Sequence, residues 1–258
     1  MKILVCVKQV PDMESTFRVN AEGTWLDERD LAFRMNEYDE YALEQAIRVK
    51  EQEGNAPDVT VLSIGPTRVV EAIKKALAMG ADRGVHILDD LAYQKDSFQI
   101  ASIIASFARD KNFDLIFTGM QSQDRGSAQV GPMLAEILSI ACVTTVIGFT
   151  LNGDQVTVRR ELEGGLKALV KFKLPGLVTC QLGLNIPRYP TLPNIMKARQ
   201  KELLTLPVAE LNREESLTVT RKMYRAEKKG GGVVLEGSNN ELAEKLVTLL
   251  KEKTTVLR

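Results

Sequence analysis

The chain has 258 residues, 44% of them hydrophobic, which is enough for one large α/β domain with appendages. Lysine and arginine together number 34, as do aspartate and glutamate, so no overall charge attracts the chain to nucleic acid or anionic lipid. No apolar run approaches the roughly 18 residues of a membrane span, and the first residues lack the pattern of a signal peptide. We therefore expect a cytoplasmic protein with no nucleic-acid partner and no membrane insertion.

Apolar runs alternate with helical patterns over the first 140 residues. The long loop at 9–37 is expected to contain a hairpin around 16–19 and Trp25. This rhythm predicts a doubly wound, mostly parallel α/β sheet whose ligand lies outside the carboxyl ends of the strands. Strands are predicted at 3–7, 59–64, 84–88 and 114–118, and helices at 39–53, 67–79, 98–109 and 128–138.

The loop after the fourth predicted strand is the strongest candidate site. Residues 119–126 are polar and lead into a helix, so backbone N–H groups and the positive end of a helix dipole would face a phosphate. Gly119 and Gly126 permit close backbone approach, and Ser127 can cap the helix or bind a phosphate oxygen. An ordinary turn capped by a serine is the alternative, since the loop contains neither a P-loop nor a GxGxxG pattern.

Three other segments are expected to converge on this loop. Two of them follow Val7 and Ile64, at the ends of predicted strands, and the third contains Asn36, which is predicted to cap the first helix. Arg125 could pair with a phosphate through its fork of N–H donors, or it could be a solvated surface residue.

After residue 138 the pattern changes. A fifth short strand at 142–146 leads into a meander of antiparallel strands, and an apolar strand follows at 177–182. Three parts are predicted: a ligand-binding α/β domain at 1–182, with the meander at 145–173, a loop at 183–205 and a C-terminal arm at 206–258. The arm is expected to contain a strand at 217–220, flexible glycines at 230–232 and an amphipathic helix at 240–253 that packs on another subunit.

A proline-rich segment at 185–199 is predicted to protrude as a pre-ordered docking loop. Its apolar residues alternate with basic ones, which suits an acidic partner. A loop folded back on its own domain is the alternative. The residues concerned are Ile186, Leu192, Ile195 and Met196, with Arg188, Lys197 and Arg199.

The cysteines and the histidine of the sequence are poor candidates for catalytic residues or metal ligands. Cys6, Cys142 and Cys180 have no paired spacing and lie among apolar residues, as small core residues do. The single histidine, His86, lies in an apolar run and is interpreted as structural. No catalytic residue and no metal site are therefore predicted.

Several segments resemble the β subunit of electron transfer flavoproteins, in order and over nearly the whole chain. They are VCVKQ at 5–9, MNEYDE at 35–40, ALAMGADRG at 76–84, the loop at 119–131, RELEGG at 160–165, PRY at 187–189 and LPNIMKA at 192–198.

This resemblance implies a heterodimer in which the α subunit holds most of a redox-active FAD and the β subunit buries a structural AMP. It also implies a fold of the adenine-nucleotide α-hydrolase-like type, with a meander, a protruding recognition loop and a C-terminal arm on the α subunit. Carried over by resemblance, the AMP site falls on Cys6, Asn36, Glu37, Tyr38, Asp39, Ile64, Met120, Gln121, Ser122, Gln123, Asp124, Arg125, Gly126, Ser127, Ala128, Gln129, Val130 and Gly131.

The resemblance further implies a recognition loop at 180–202 that docks on an acyl-CoA dehydrogenase in fatty acid β-oxidation. Leu192 corresponds to the anchoring leucine, and Glu161 to a glutamate that pairs with an arginine of the α subunit. Electrons would pass on to a downstream quinone oxidoreductase. The residues expected to bind partners are Glu161, Arg188, Tyr189, Leu192, Pro193, Ile195, Met196 and Lys197.

Two alternatives remain for the nucleotide site. Members of the family that bifurcate electrons use NADH and hold a second FAD in place of AMP. At the positions of Asp124 to Ser127 in this chain, those members have a sequence similar to Asp-Gly-Asp-Thr. They also lack the Leu-Pro-Asn-Ile-Met run that this chain has at 192–196. AMP is therefore favoured here by analogy. A stress-type ATP-binding protein or nucleotide-dependent enzyme of the same fold would need an acid such as Asp124 to bind a metal.

Overall fold

A computed structural model describes residues 1–211, 214–226 and 230–255. These residues divide into two units, Met1–Met223 and Tyr224–Arg258. The strands of the first unit are Lys2–Cys6 (β1), Gln9–Pro11 (β2), Phe33–Met35 (β3), Asp58–Gly65 (β4), Arg83–Leu88 (β5), Leu115–Gly119 (β6), Ala141–Asn152 (β7), Gln155–Glu161 (β8), Lys167–Lys173 (β9), Gly176–Cys180 (β10) and Leu203–Pro207 (β11).

Five helices belong to the described part of the first unit and one to that of the second. They are Glu37–Gln52 (α1), Val70–Met79 (α2), Ser97–Ala108 (α3), Val130–Leu138 (α4) and Leu192–Ala198 (α5), with Asn239–Lys253 (α6) in the second unit. No helix of the described ranges has the length and apolar character needed to cross a bilayer.

The large sheet confirms the predicted doubly wound, mostly parallel α/β fold. Its nine strands lie in the order β11-β5-β4-β1-β6-β10-β7-β8-β9. All neighbours are parallel from β11 to β7, and the meander β7-β8-β9 is antiparallel. Strand order reverses between β1 and β6, which is where a ligand crevice forms in such sheets.

Alternation along β1 shows why helices cover both faces of the sheet. Ile3 and Val5 belong to the apolar cluster that contains residues of α1 and α2. Leu4, which points to the opposite face, belongs to the cluster that contains residues of α3 and α4. All three side chains are fully buried, as expected for a central parallel strand.

Several local predictions were wrong. The loop at 9–37 contains the antiparallel pair β2-β3, and only an isolated bridge joins Val19 to Leu26. β7 is one continuous strand of 12 residues, so Cys142 lies on an exposed part of it and is not a core residue. Leu203–Pro207 joins β5 as the edge strand, although no strand was predicted there. No strand is present at 217–220.

Two smaller interpretations are confirmed. His86 is buried, and its Nε2 lies 2.9 Å from the carbonyl oxygen of Gly65. The helix predicted at 240–253 is present in the second unit as α6, Asn239–Lys253. It starts with a capping box, in which Ser238 and Glu241 satisfy each other's backbone N–H groups.

Candidate functional site

A cavity of about 400 Å³ opens at the carboxyl ends of β1, β4 and β6, at the switch in strand order. Its walls come from the segments that the sequence predicted to converge there. Of the predicted nucleotide-site residues, fourteen line the cavity: Cys6, Asn36, Asp39, Ile64, Met120, Gln121, Ser122, Asp124, Arg125, Ser127, Ala128, Gln129, Val130 and Gly131.

The other four predicted residues, Glu37, Tyr38, Gln123 and Gly126, are not among the lining residues. Three of them, Glu37, Tyr38 and Gln123, help to connect the first turn of α1 to the loop after β6. The amide of Gln123 donates to Glu37 at 3.1 Å, and the amide of Gln121 donates to the Tyr38 hydroxyl at 3.2 Å. These residues therefore connect α1 to the loop without lining the cavity themselves.

Asn36 has a different local role from the one predicted. It occupies the N-cap position of α1, but its side chain makes no capping hydrogen bond. Its Nδ2 donates to the carbonyl of Gln121 at 2.9 Å, and its Oδ1 accepts from the N–H of Gln123 at 3.0 Å. The asparagine is 1% exposed, so the amide acts as a buried cross-link between helix and loop.

Asp39 joins the backbone that follows β1 to the backbone at the end of β6, at the base of the cavity. Its carboxylate accepts the N–H of Lys8 at 2.7 Å and the N–H of Gly119 at 3.1 Å. Burial raises the pKa of Asp39 to about 7, although both amides and the nearby Lys8 ammonium act in the opposite direction.

This raised pKa predicts a pH dependence of stability. A carboxyl that titrates near 7 in the folded chain and near 3.9 when unfolded contributes stability that is complete below about pH 4 and is lost as the pH rises through 7. Asp39→Asn lacks this titration, so its deficit in the free energy of unfolding should shrink by about 2 kcal/mol between pH 5 and 8. Urea unfolding of the unaltered chain and of Asp39→Asn at pH 5 and pH 8 measures this difference in the free energy of unfolding. A deficit that is the same at both pH values would contradict the titration of Asp39.

Lys8 is a site residue that the sequence analysis did not select. Its Nζ contacts both carboxylate oxygens of Asp124, at 2.7 and 2.6 Å, inside the cavity wall. Burial lowers the pKa of Lys8, while Asp124 opposes that change. The Asp124 side chain is only 4% exposed, so this pair fixes the loop after β6 against β1. The position of Lys8 directly after an apolar strand was the available signal.

The loop before α4 has the backbone geometry of an anion cradle. Gly126 and Ala128 have positive φ angles of 62° and 54°, and the amide groups of 127–129 have no hydrogen-bond acceptor within the described ranges. They precede the first turn of α4, where the N–H groups of Val130 and Gly131 also have no acceptor within the described ranges. Ser127 does not cap this helix: Gln129 holds the N-cap position, and the Ser127 hydroxyl lies 3.2 Å from that of Ser97.

An aromatic stack closes one side of the cavity rim. The rings of Trp25 and Tyr93 are stacked with centroids 5.6 Å apart, and the guanidinium of Arg125 lies 5.0 Å from the centre of the Trp25 ring. Arg125 also donates to the carbonyls of Tyr93 and Lys95. It therefore joins three segments of the rim, a role that neither sequence interpretation of Arg125 included.

The cavity favours binding over catalysis. Burial raises the pKa of the thiols of Cys6 and Cys180, which keeps them protonated and poorly nucleophilic. Within the described ranges, no three histidine, cysteine, aspartate or glutamate side chains are grouped as metal ligands would be. Apolar walls, a ring of amides and a few fixed polar groups are features of a ligand pocket.

The predicted docking segment presents an exposed apolar surface on the same unit. Tyr189 is 91% exposed, Leu192 79% and Met196 60%, and Ile195 is also exposed. Leu192 is the first residue of α5, whose N-cap, Thr191, accepts the N–H of Asn194. Pro193 and Lys197 belong to the same helix, so a pre-formed turn displays the leucine. Glu161 lies elsewhere, at the end of β8, where Gln181 donates to its carboxylate at 3.3 Å.

The fold and the pocket define an open α/β protein with a cavity of small-ligand size at the switch point of its sheet. The model of the electron transfer flavoprotein domain matches residues 24–211, and the chain belongs to this family. It is similar over its full length to subunit beta of the electron transfer flavoprotein of Bacillus subtilis, with 36% identity over 263 residues and all of both chains covered. The corresponding subunit of Methylophilus methylotrophus is 34% identical over 98% of each chain. The human one is 36% identical over 98% of this chain and 97% of its own.

Proposed function

We propose that this chain is the β subunit of a heterodimeric electron transfer flavoprotein and that its pocket holds one structural AMP. The α subunit would hold most of the FAD, which supplies the reversible uptake and release of electrons. This chain would stabilise the pair and dock on a flavin dehydrogenase of the acyl-CoA type, and a quinone oxidoreductase would accept the electrons. Full-length similarity to β subunits supports this assignment, and no helix for membrane insertion lies in the described ranges.

The pocket supports AMP through the chemistry of its lining. Unpaired amides at 127–129 and the amino end of α4 suit a phosphate. Apolar Ile64 and Val130 line the same cavity and offer contacts to a base. Its volume of about 400 Å³ falls in the lower part of the range for small-ligand sites, which favours a mononucleotide over a second FAD.

The same pocket gives little support for ATP hydrolysis. Asp124, the acid that such an enzyme would need, is already paired with Lys8 at 2.6 Å. A nucleotide held here would be enclosed by Asn36, Asp39 and the loop after β6, which fasten one another by hydrogen bonds. Ligand that binds only the folded chain raises its stability by mass action, which is a structural role.

The nucleotide content of the purified heterodimer tests this proposal. After denaturation, chromatography is expected to recover about one AMP and about one FAD per heterodimer, because the cavity at the switch point would hold one nucleotide and the FAD would lie mainly in the other chain. Two FAD and no AMP would overturn the AMP assignment in favour of electron bifurcation, and ATP turnover by the isolated chain would favour an enzyme. The variant Met196→Ala, far along the chain on α5, serves as a control that keeps its AMP.

A further inference from the structure

The segment between β10 and β11 exposes apolar side chains, yet both of its ends are fixed to helices. At its start, Nδ2 of Asn185 donates to the carbonyl of Tyr41 on α1 at 3.0 Å. At its end, Nζ of Lys201 donates to the carbonyls of Leu77 and Ala81 at 2.9 and 2.5 Å, at the carboxyl end of α2. These polar attachments add to the apolar packing of Ala198, the one buried residue of α5, and help to hold the segment in one place.

The strongest attachment is Arg188, next to the exposed Tyr189. Its guanidinium donates to Glu44 through Nε at 2.8 Å and through a terminal nitrogen at 3.1 Å. It also donates to Glu51 at 2.5 and 2.9 Å. Its backbone N–H donates to Glu44 at 3.2 Å. We call Arg188, Glu44 and Glu51 the clamp; all its acceptors lie on α1.

Burial explains why the clamp matters energetically. The Glu44 side chain is 3% exposed, and among the described residues Arg188 and Arg48 are the cations paired with it. Burial alone would raise the pKa of Glu44, but the hydrogen bonds from both arginines outweigh it and hold that pKa below its usual value. Removing Arg188 would leave a buried carboxylate half satisfied, which costs more than losing an exposed ion pair.

We propose that Arg188 is a positioning residue: the clamp holds the docking segment on α1 so that Leu192 is presented to the partner. It does not serve as a basic contact for that partner, because four of its side-chain hydrogen bonds are already made within the chain. The docking part of this proposal rests on the proposed function, whereas the clamp itself is a property of the chain.

The variant Glu51→Gln, which removes one negative charge of the clamp, distinguishes two possible roles of Arg188: direct binding of the partner and positioning of the segment. If Arg188 bound an acidic partner directly, Glu51→Gln would release it and leave docking unchanged or stronger. If the clamp positions the segment, Glu51→Gln weakens docking although it makes the chain more positive. Glu51 is half exposed, so its replacement leaves the core intact. Arg109→Gln is the matched control, since Arg109 is an exposed charge at the end of α3, outside the docking segment, with no ion pair in the described ranges.

Hydrogen exchange of the heterodimer tests the clamp without any dehydrogenase. In Arg188→Gln the α5 amides are expected to exchange roughly tenfold faster, as loss of about 1.4 kcal/mol of local stability implies. Glu51→Gln should give a smaller rise in the same direction, Arg188→Lys an intermediate one, and Arg109→Gln none. Unchanged exchange of α5 in both Arg188→Gln and Glu51→Gln overturns the proposal.

Electron transfer from a reduced acyl-CoA dehydrogenase tests whether loss of the clamp weakens docking. We expect KM for the dehydrogenase to rise about tenfold in Arg188→Gln and severalfold in Glu51→Gln, with kcat within twofold in both variants. In Arg109→Gln, KM should stay unchanged. A raised KM in Arg188→Gln with an unchanged or lowered KM in Glu51→Gln overturns the positioning role. If the unaltered heterodimer accepts no electrons from the dehydrogenase while the exchange results hold, the proposed function fails and the clamp stands.

Discussion

Gly119→Ala is expected to pull the loop after β6 away from α1 and to empty the nucleotide pocket. A methyl group on Gly119 would overlap Oδ1 of Asp39 and lie 2.7 Å from Cβ and 3.0 Å from the carbonyl carbon of Tyr38. None of these atoms can move easily: two backbone amides hold the Asp39 carboxylate, and the Tyr38 atoms belong to the first turn of α1. We expect a loss of about 3 kcal/mol in the free energy of unfolding.

Two measurements check this result. Urea unfolding gives the change in stability, and chromatography of the denatured heterodimer gives its AMP content, which is expected to fall below one tenth of the original. Gly231→Ala is the matched control, because no atom lies within 4 Å of the added methyl group and its φ is not in the positive range. Full AMP content together with unchanged stability in Gly119→Ala would contradict the close approach of α1 to the loop.

Leu192→Ala is expected to lower kcat/KM for electron transfer from the dehydrogenase by about thirtyfold. A leucine that is 79% exposed contributes little to the stability of its own chain, but as a buried anchor in a complex it is worth about 2 kcal/mol. The free energy of unfolding and the AMP content should therefore stay the same. Stopped-flow kinetics with reduced dehydrogenase measure the effect.

The control for this variant is Leu91→Ala, which shortens another leucine that is 52% exposed, in a turn after β5. It should transfer electrons at the original rate. Equal kinetics for Leu192→Ala and the unaltered protein would rule out the anchor role, and an equal loss in both variants would point to a general effect of surface apolar area. Neither outcome depends on the identity of the nucleotide.

The sequence predicted the central sheet well because its strands are buried on both faces. β1 contains the apolar run ILVC and β6 the run LIF, a pattern that is typical of buried parallel strands. β11 was missed because its sequence, LLTLP, ends in proline and is half exposed on both sides. Its place depends on parallel pairing with β5, a contact between residues more than a hundred positions apart, which local patterns do not contain.

The parts of the candidate site that depend on local backbone structure could be predicted from the sequence. The parts that depend on contacts between side chains far apart in the chain could not. Glycines and a strand–loop–helix order identified the loop after β6. Lys8 and Trp25 were missed, since their roles come from Asp124 and Tyr93, which lie far along the chain. Asn36 was assigned the common role of its residue type, capping, because nothing local indicates that the loop at 121–123 passes close to it.

The stack at the rim of the cavity gives the molecule an optical property. Trp25 is the single tryptophan of the 258 residues, and it lies against Tyr93 and Arg125 where ligand enters. All indole emission of this polypeptide therefore originates at the mouth of the pocket. In the isolated chain, the fluorescence of this one side chain is therefore expected to report filling and emptying of the pocket without any attached dye.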